Sequence, residues 1–192
     1  MDVNRFKNSQ AGKLIKTGRD YWAFVPNPLP PSITYNKEIV GLLSEADRQL
    51  GNLSGVGVLL PNPDLLITPY IKREAVLSSK IEGTQASLSD LFYFEAAGKE
   101  ERQRETKRTD VLEVVNYVKA MNHGIKRLKE LPLCLRLIKE IHKELMHGVR
   151  GEHLTPGEFR RSQNWIGPPG CTLNEAMFIP PPVHEMNEDL GD

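Results

Sequence analysis

The sequence has few cysteines, no excess charge of either sign and no long hydrophobic run. Its two cysteines, Cys134 and Cys171, are too few for a disulfide framework and are typical of a reducing compartment. Lys and Arg number 25, as do Asp and Glu, which argues against a polybasic nucleic-acid binder. No stretch approaches the roughly 18 apolar residues of a transmembrane helix, and the N-terminus has no apolar signal core. We therefore expect a cytoplasmic protein without membrane or specific nucleic-acid contacts.

Familiar metal-binding and catalytic motifs are missing as well. No HExxH motif and no zinc-type Cys/His spacing occurs, and His142 and His147 would lie about 140° apart around a helix. No nucleophile elbow of the Gly-x-Ser-x-Gly type is present. Cys134 stands at the start of a predicted helix, but a packing role explains it better than a nucleophilic one. We expect neither a metal site nor a catalytic residue in this chain.

Residues 1–33 are predicted to form an N-terminal arm. The short apolar stretch 21–25 is followed by Pro26, Pro28, Pro30 and Pro31, which block a helix and favour extended backbone. Such an arm packs along a surface, which is either its own domain or a partner.

Apolar periodicity predicts five helices in the middle of the chain. The first covers 36–50 and ends at Gly51, before a Gly-rich loop 51–57. The second begins at Asn62 and Pro63 and ends near Glu82. Ser87 and Asp90 resemble a capping box for the third, and the charged run 99–108 is expected to be solvated. The last two helices start at Thr109 and near 133.

The composition changes after Thr155, where Gly and Pro residues break helical patterns. The segments 163–166 and 176–179 are predicted to be two short strands around a turn. An amphipathic helix then begins at Val183, and the sequence stops shortly afterwards, which suggests that the chain is part of a longer protein. The expected fold class is mainly α with one small β-hairpin.

One constellation at the end of the second helix calls for an explanation. Ser78 and Glu82 are four residues apart and share a helix face, and Gly83 turns the chain away. A carboxylate at a helix C-terminus is unfavourable with respect to the helix dipole. Glu82 is then either a surface residue screened by solvent or a residue placed to meet an Arg elsewhere.

The motif Ser78-x-x-x-Glu82-Gly83 resembles the inhibitory motif of Fic-family proteins. The segments on either side, 62–66 and 84–92, look like the start of the inhibitory helix and the segment after it. Residues 154–160 and 178–183 are similar to the first part of the Fic core with its flap hairpin. The resemblance covers roughly 30–192 and divides it into an N-terminal region with the inhibitory helix, 34–108, and the first part of the core, 109–192.

The resemblance implies a function in protein adenylylation, the transfer of AMP from ATP to a Ser, Thr or Tyr hydroxyl of a target protein. By this resemblance Glu82 would be the blocking carboxylate, Ser78 would help to seat the helix and Gly83 would permit its exit. The flap would dock the target segment. Its residues are Trp165, Ile166, Ala176, Phe178 and Ile179. ATP and Mg²⁺ are implied by the family alone, with no tight binding expected here. A homodimer is a further possibility that the family suggests.

The chain departs from the family in one respect. The catalytic signature His-Pro-Phe-x-Asp/Glu-Gly-Asn-Gly-Arg does not occur in the sequence, which has no His-Pro pair. We expect the chain to end before that signature, and whether it belongs to an enzyme stays open. The first interpretation is the autoinhibitory N-terminal portion of a Fic adenylyltransferase, inactive by itself. The alternatives are an antitoxin-like protein that acts on another Fic enzyme, and an unrelated helical binding module.

Overall fold

The computed structural model describes residues 1–97 and 108–191. The chain forms two compact units, the first made of Met1–Thr34 with Phe159–Asp192 and the second of Tyr35–Glu158. The described residues contain seven α-helices and one two-stranded antiparallel hairpin. The expected fold class, mainly α with one small hairpin, is confirmed.

Unit 1 combines the two ends of the chain around a small β-hairpin. Its elements are α1 (Val3–Phe6), β1 (Gly12–Lys16), β2 (Trp22–Pro26), a 3-10 turn (Leu173–Glu175) and α7 (Val183–Asp189). Leu14 stands opposite Phe24 in the antiparallel register of the hairpin. The core cluster of this unit consists of Ala23, Ala176 and Ile179.

The hairpin lies elsewhere than the sequence predicted. The expected strands 163–166 and 176–179 meet at a single bridge between Ile166 and Phe178, whereas the complete hairpin lies within 1–33. The nine residues between the expected strands include Pro168, Pro169 and the 3-10 turn, so they form a longer connection than the roughly two to five residues of an ordinary hairpin turn. The residues 1–33 are thus not a simple extended arm, and the N–H of Phe24 donates to the carbonyl of Ile179 at 2.9 Å.

Unit 2 is helical throughout. Its helices are α2 (Lys37–Val58), α3 (Asp64–Ile81), α4 (Leu88–Ala96), α5 (Arg108–Arg127) and α6 (Leu135–Leu145). The apolar faces of α3, α4 and α5 enclose a core that includes Leu91, Val111 and Val114, each at most 1% exposed. This core fixes the end of α3, where the candidate site lies.

The prediction for α2 was wrong at its C-terminal end. The helix continues through Gly51 and the expected Gly-rich loop to Val58. A glycine inside a helix costs only about 1 kcal/mol relative to alanine, and the apolar stripe continues through Leu53 and Val56. The start is as predicted, because the Asn36 side chain accepts the N–H of Ile39 at 2.8 Å.

The remaining helix boundaries agree with the sequence signals. Pro63 stands at the N-cap of α3, which continues through Pro69. Ser87 and Asp90 form the predicted capping box of α4. Most of the charged run 99–108 lies outside the described residues, which resume with the start of α5 at Arg108.

Candidate functional site

The C-terminus of α3 ends in a Schellman motif that fixes the backbone of Glu82. The N–H of Thr84 donates to the carbonyl of Ser79 at 3.1 Å, and the N–H of Gly83 donates to that of Lys80 at 3.0 Å. Gly83 has φ of +93°, a left-handed conformation in which glycine meets no steric penalty. Glu82 is the C-cap residue. Its position relative to the helix is therefore set by main-chain hydrogen bonds.

The Glu82 side chain is exposed and unpaired. Within residues 1–97 and 108–191, its carboxylate takes part in no hydrogen bond and no ion pair. The carboxylate lies next to the carbonyl end of α3, where the helix dipole favours a cation. The sequence left two explanations open, a surface residue screened by solvent and a residue placed to meet an Arg. The exposed carboxylate is compatible with the second, because a cation from another part of the protein or from another chain can reach it.

The segment after Glu82 is tied to α5 by two carboxylates. The backbone N–H of Gln85 donates to Oδ2 of Asp110 at 2.8 Å. The hydroxyl of Thr84, which is only 3% exposed, donates to Oε2 of Glu113 at 3.2 Å. The turn that follows the helix is therefore held in place by side chains far along the chain.

Arg150 holds both carboxylates of α5. Its Nε and Nη2 atoms donate to the two Glu113 oxygens at 2.7 and 2.9 Å, a bidentate arrangement. Asp110 Oδ1 lies 3.7 Å from the same guanidinium. The hydrogen bond with Glu113 is the main reason that the pKa of Arg150 is raised, with a smaller contribution from the charge of Asp110.

A cleft of about 380 Å³ opens beside the end of α3. Glu82 and Glu113 contribute carboxylates to it, and Arg150 contributes a guanidinium that is already engaged. The rest of the wall is hydroxyl-bearing or apolar. Its residues are Ser78, Ser79, Thr84, Tyr117, Leu145, Met146 and Val149. The cleft thus presents one unpaired charge, that of Glu82.

Ser78 lies near Glu82 and hydrogen-bonds within its own helix. Its hydroxyl donates to Oε1 of Glu74 at 2.6 Å. The residues that α3 buries are Ala75, Val76 and Ser79. These small side chains allow close packing of α3, and the seating role of Ser78 stays a prediction.

The structure divides the predicted flap residues between surface and core. Trp165 and Ile166 are 40% and 64% exposed, whereas Ala176 and Ile179 are each 2% exposed. The ring of the half-buried Phe178 packs at a tilt against those of Phe6 and Phe24, with centroids 5.8 and 6.0 Å away. The docking role stays a prediction. Among the predicted flap residues, Trp165 and Ile166 are the exposed ones, so their side chains would make the contacts with a target segment.

The described part of the chain does not assemble a metal site. It contains no cluster of three His, Cys, Asp or Glu side chains with the geometry of a ligand set. The Nδ1 atom of His142 accepts the N–H of Gly157 at 2.8 Å. Cys134 is the N-cap residue of α6, and its side chain does not cap the helix.

The sequence patterns did not indicate that Asp110, Glu113 and Arg150 belong to the candidate site. Asp110 and Glu113 are three residues apart at the start of α5, and this spacing alone predicts that the two carboxylates share a helix face. Their pairing with Arg150 could not be predicted from the sequence, because Arg150 follows Glu113 by 37 residues and lies in a turn beyond α6.

The site can now be compared with known proteins. Residues 40–126 match the family model described as Fic/DOC family N-terminal, which spans α3, Glu82 and most of α5. This match supports a Fic-family protein, as the resemblance predicted. No curated protein matches the chain. Among the described helices, none combines the length and the apolar character that crossing a membrane requires.

Proposed function

We propose that this chain is the autoinhibitory N-terminal region of a Fic-type protein adenylyltransferase and that Glu82 is the inhibitory group. The observation that carries the proposal is the unpaired, exposed carboxylate of Glu82 on a rigidly held helix end within the matched segment. The charge has no cation within ion-pair distance in the described residues, and the local dipole opposes it. At an exposed site this costs at most about 1 kcal/mol, which a cation that meets Glu82 in the working protein would offset.

The proposed chemistry is the transfer of AMP to a hydroxyl of a target protein. The hydroxyl oxygen attacks the α-phosphorus of ATP while its proton passes to a general base, a new P–O bond forms, and pyrophosphate leaves with the electron pair of the broken bond. This displacement requires in-line geometry between the attacking and the leaving oxygen. Because an Arg that holds the γ-phosphate orients the leaving group, a carboxylate that occupies this Arg removes the geometry.

The residues that line the cleft beside α3 suit the inhibitory part of this chemistry. A triphosphate requires cationic side chains or free backbone N–H groups, whereas the cleft beside α3 offers two carboxylates and an Arg that is already paired. These residues do not fit the phosphates of ATP. The role that remains for them is to hold Glu82 where it competes for a phosphate-binding cation.

The test uses the product of the natural gene and labelled ATP. We expect Glu82→Gly and the isosteric Glu82→Gln each to raise the transfer of AMP to protein by roughly tenfold or more, since each removes one charge-assisted pair. Glu152→Gln is the matched control, because Glu152 is an exposed carboxylate in a turn of the same unit. If the natural form and both Glu82 variants transfer AMP equally, or if none of them transfers any, the autoinhibitory role is contradicted.

The alternative is that the chain inhibits a separate Fic enzyme, as an antitoxin does. The observation in its favour is that the Glu82 carboxylate is accessible from solvent, so a cation of a separate chain can reach it. The same set of variants distinguishes this case when each is added to a Fic adenylyltransferase that lacks its own inhibitory Glu. Inhibition by the natural chain and by Glu152→Gln, but not by Glu82→Gly, would identify an inhibitor that acts in trans.

A further inference from the structure

We infer that Asp110, Glu113 and Arg150 form a positioning clamp for Glu82, so that the strength of inhibition depends on Arg150, a residue that acts on Glu82 through α5 and the turn after α3. This inference rests on the proposed function of Glu82. It adds a device that sets where the inhibitory carboxylate lies relative to α5.

The first step is the short distance along the chain between Glu82 and the clamped groups. Only Gly83 separates Glu82 from Thr84, and Gly83 has the left-handed φ of +93°. The Schellman bonds fix Glu82 relative to α3 alone. The bonds from Thr84 and Gln85 to α5 fix this helix end relative to the rest of unit 2.

The second step is that the clamp depends on Arg150. Asp110 and Glu113 are three residues apart on α5, where two carboxylates repel each other. The guanidinium of Arg150 lies against both, at 2.7 Å from Glu113 and 3.7 Å from Asp110. Without this cation we expect the carboxylates to turn toward water and to release Thr84 and Gln85.

The third step is that the fold does not depend on the clamp. The packing of α3, α4 and α5 is carried by the apolar core, and α4 has its own capping box at Ser87. The Arg150 side chain is 65% exposed, and exposed ion pairs contribute little to global stability. Loss of the clamp should therefore loosen the Glu82 segment without unfolding unit 2.

The experiment combines Arg150→Ala, the partial rescue Arg150→Lys and the control Arg136→Ala. Arg136 is a matched residue, because it is 72% exposed and pairs with a carboxylate of its own helix. Three quantities are measured for each: the exchange rate of the Gln85 amide by NMR, the thermal unfolding midpoint, and AMP transfer in the assay in which Glu82→Gly releases it.

We expect Arg150→Ala to speed exchange of the Gln85 amide and to raise AMP transfer, each by roughly tenfold, the equivalent of one hydrogen bond to a charged group. Arg150→Lys keeps the charge but loses the bidentate geometry, so it should fall between the natural form and Arg150→Ala. Arg136→Ala should leave both quantities unchanged. The unfolding midpoint should stay the same in all three, which a merely structural role would not predict.

The outcomes separate this inference from the proposal on which it rests. If Glu82→Gly releases transfer but Arg150→Ala does not, the clamp is overturned and the function of Glu82 stands. If Glu82→Gly releases nothing, the proposed function fails, whatever the Gln85 amide shows. If Arg150→Ala lowers the unfolding midpoint, Asp110→Ala replaces it, because it removes the acceptor of the Gln85 N–H, and unchanged exchange and transfer in it would overturn the clamp.

Discussion

Two parts of unit 2 hold their structure in opposite ways. The helix α2 has 22 residues and buries none of them, although its leucines form a regular stripe. The six residues Glu82–Ser87, here named the α3–α4 link, contain no regular element, yet Thr84 and Ala86 are each 3% exposed. The helix is held by local signals, and the link is held by distant residues.

The difference shows which property each kind of interaction determines. For α2, the Asn36 cap and the i,i+3 pair between Arg48 and Glu45 act within a few residues and stabilise a helix wherever it lies. In the α3–α4 link, the partner of Gln85 is 25 residues away. Local signals therefore suffice to form an element, whereas the position of a functional carboxylate depends on contacts across the fold.

The largest expected effect comes from comparing a leucine of α4, which packs against the link, with a leucine of α2. Leu91 packs under the α3–α4 link at 0% exposure, and Leu91→Ala should lower the free energy of unfolding by about 2–5 kcal/mol. Leu50 in α2 is 64% exposed, and Leu50→Ala should change that free energy by less than about 0.5 kcal/mol. Urea unfolding followed by circular dichroism measures both.

The pair of leucines also tests the description of α2. A loss of stability in Leu50→Ala as large as that in Leu91→Ala would mean that the apolar stripe of α2 is packed in solution. Leu53→Ala, at 69% exposure on the same helix, is the control, and it should match Leu50→Ala.

The sequence predicted what depends on near neighbours. Gly83 was identified as the stop of α3 because only glycine enters the left-handed region easily, and Ser87 was identified as a cap from Asp90 three residues later. The exposed position of Glu82 at the helix end follows from the same signals. These features make up the local half of the candidate site.

The features that the sequence did not predict depend on partners far along the chain. The hairpin of residues 12–26 is stabilised by the contact of Phe24 with Ile179, which is 155 residues away. Arg150 meets Glu113 across two helices. No periodicity or cap signal contains such pairings, because each side chain is compatible with many partners until the fold brings one of them near.

The second prediction compares two glycines at which an added Cβ would meet no atom within 4 Å. Gly83 has a left-handed φ, so Gly83→Ala should lower the free energy of unfolding by about 1–2 kcal/mol. Gly51 lies inside α2, so Gly51→Ala should stabilise that helix by about 0.5–1 kcal/mol. Opposite signs are expected because only the backbone conformation differs.

The measurements follow the two regions separately. Urea unfolding reports the effect of Gly83→Ala, and amide exchange within α2 reports that of Gly51→Ala. Gly55→Ala serves as the control in α2, where it should repeat the result for Gly51. A gain in global stability from Gly83→Ala would contradict the left-handed conformation and with it the Schellman motif at Glu82.

The smallest expected effect concerns two carboxylates whose pKa values lie below their usual range. Hydrogen bonds from Arg127, and to a smaller extent from Arg136, lower the pKa of Glu140 to about 2, although burial works in the opposite direction. The pKa of Glu45 is lowered by hydrogen bonds from Arg48 and, to a smaller extent, Gln49, which both belong to its own helix. Only Glu140 connects two helices, because Arg127 belongs to α5 and Glu140 to α6.

The pH dependence of unfolding should therefore differ between the two sites. A carboxylate with a lowered pKa in the folded state stabilises the fold above its unfolded pKa, here 4.5, and loses that contribution as the pH falls toward about 2. Glu140→Gln should lower the urea midpoint at pH 7, and its difference from the natural chain should shrink between about pH 4.5 and 2. Glu45→Gln should leave the midpoint unchanged at each pH, because its partners lie on a helix without buried residues. A pH-dependent difference as large for Glu45→Gln as for Glu140→Gln would show that α2 takes part in the cooperative unfolding of unit 2.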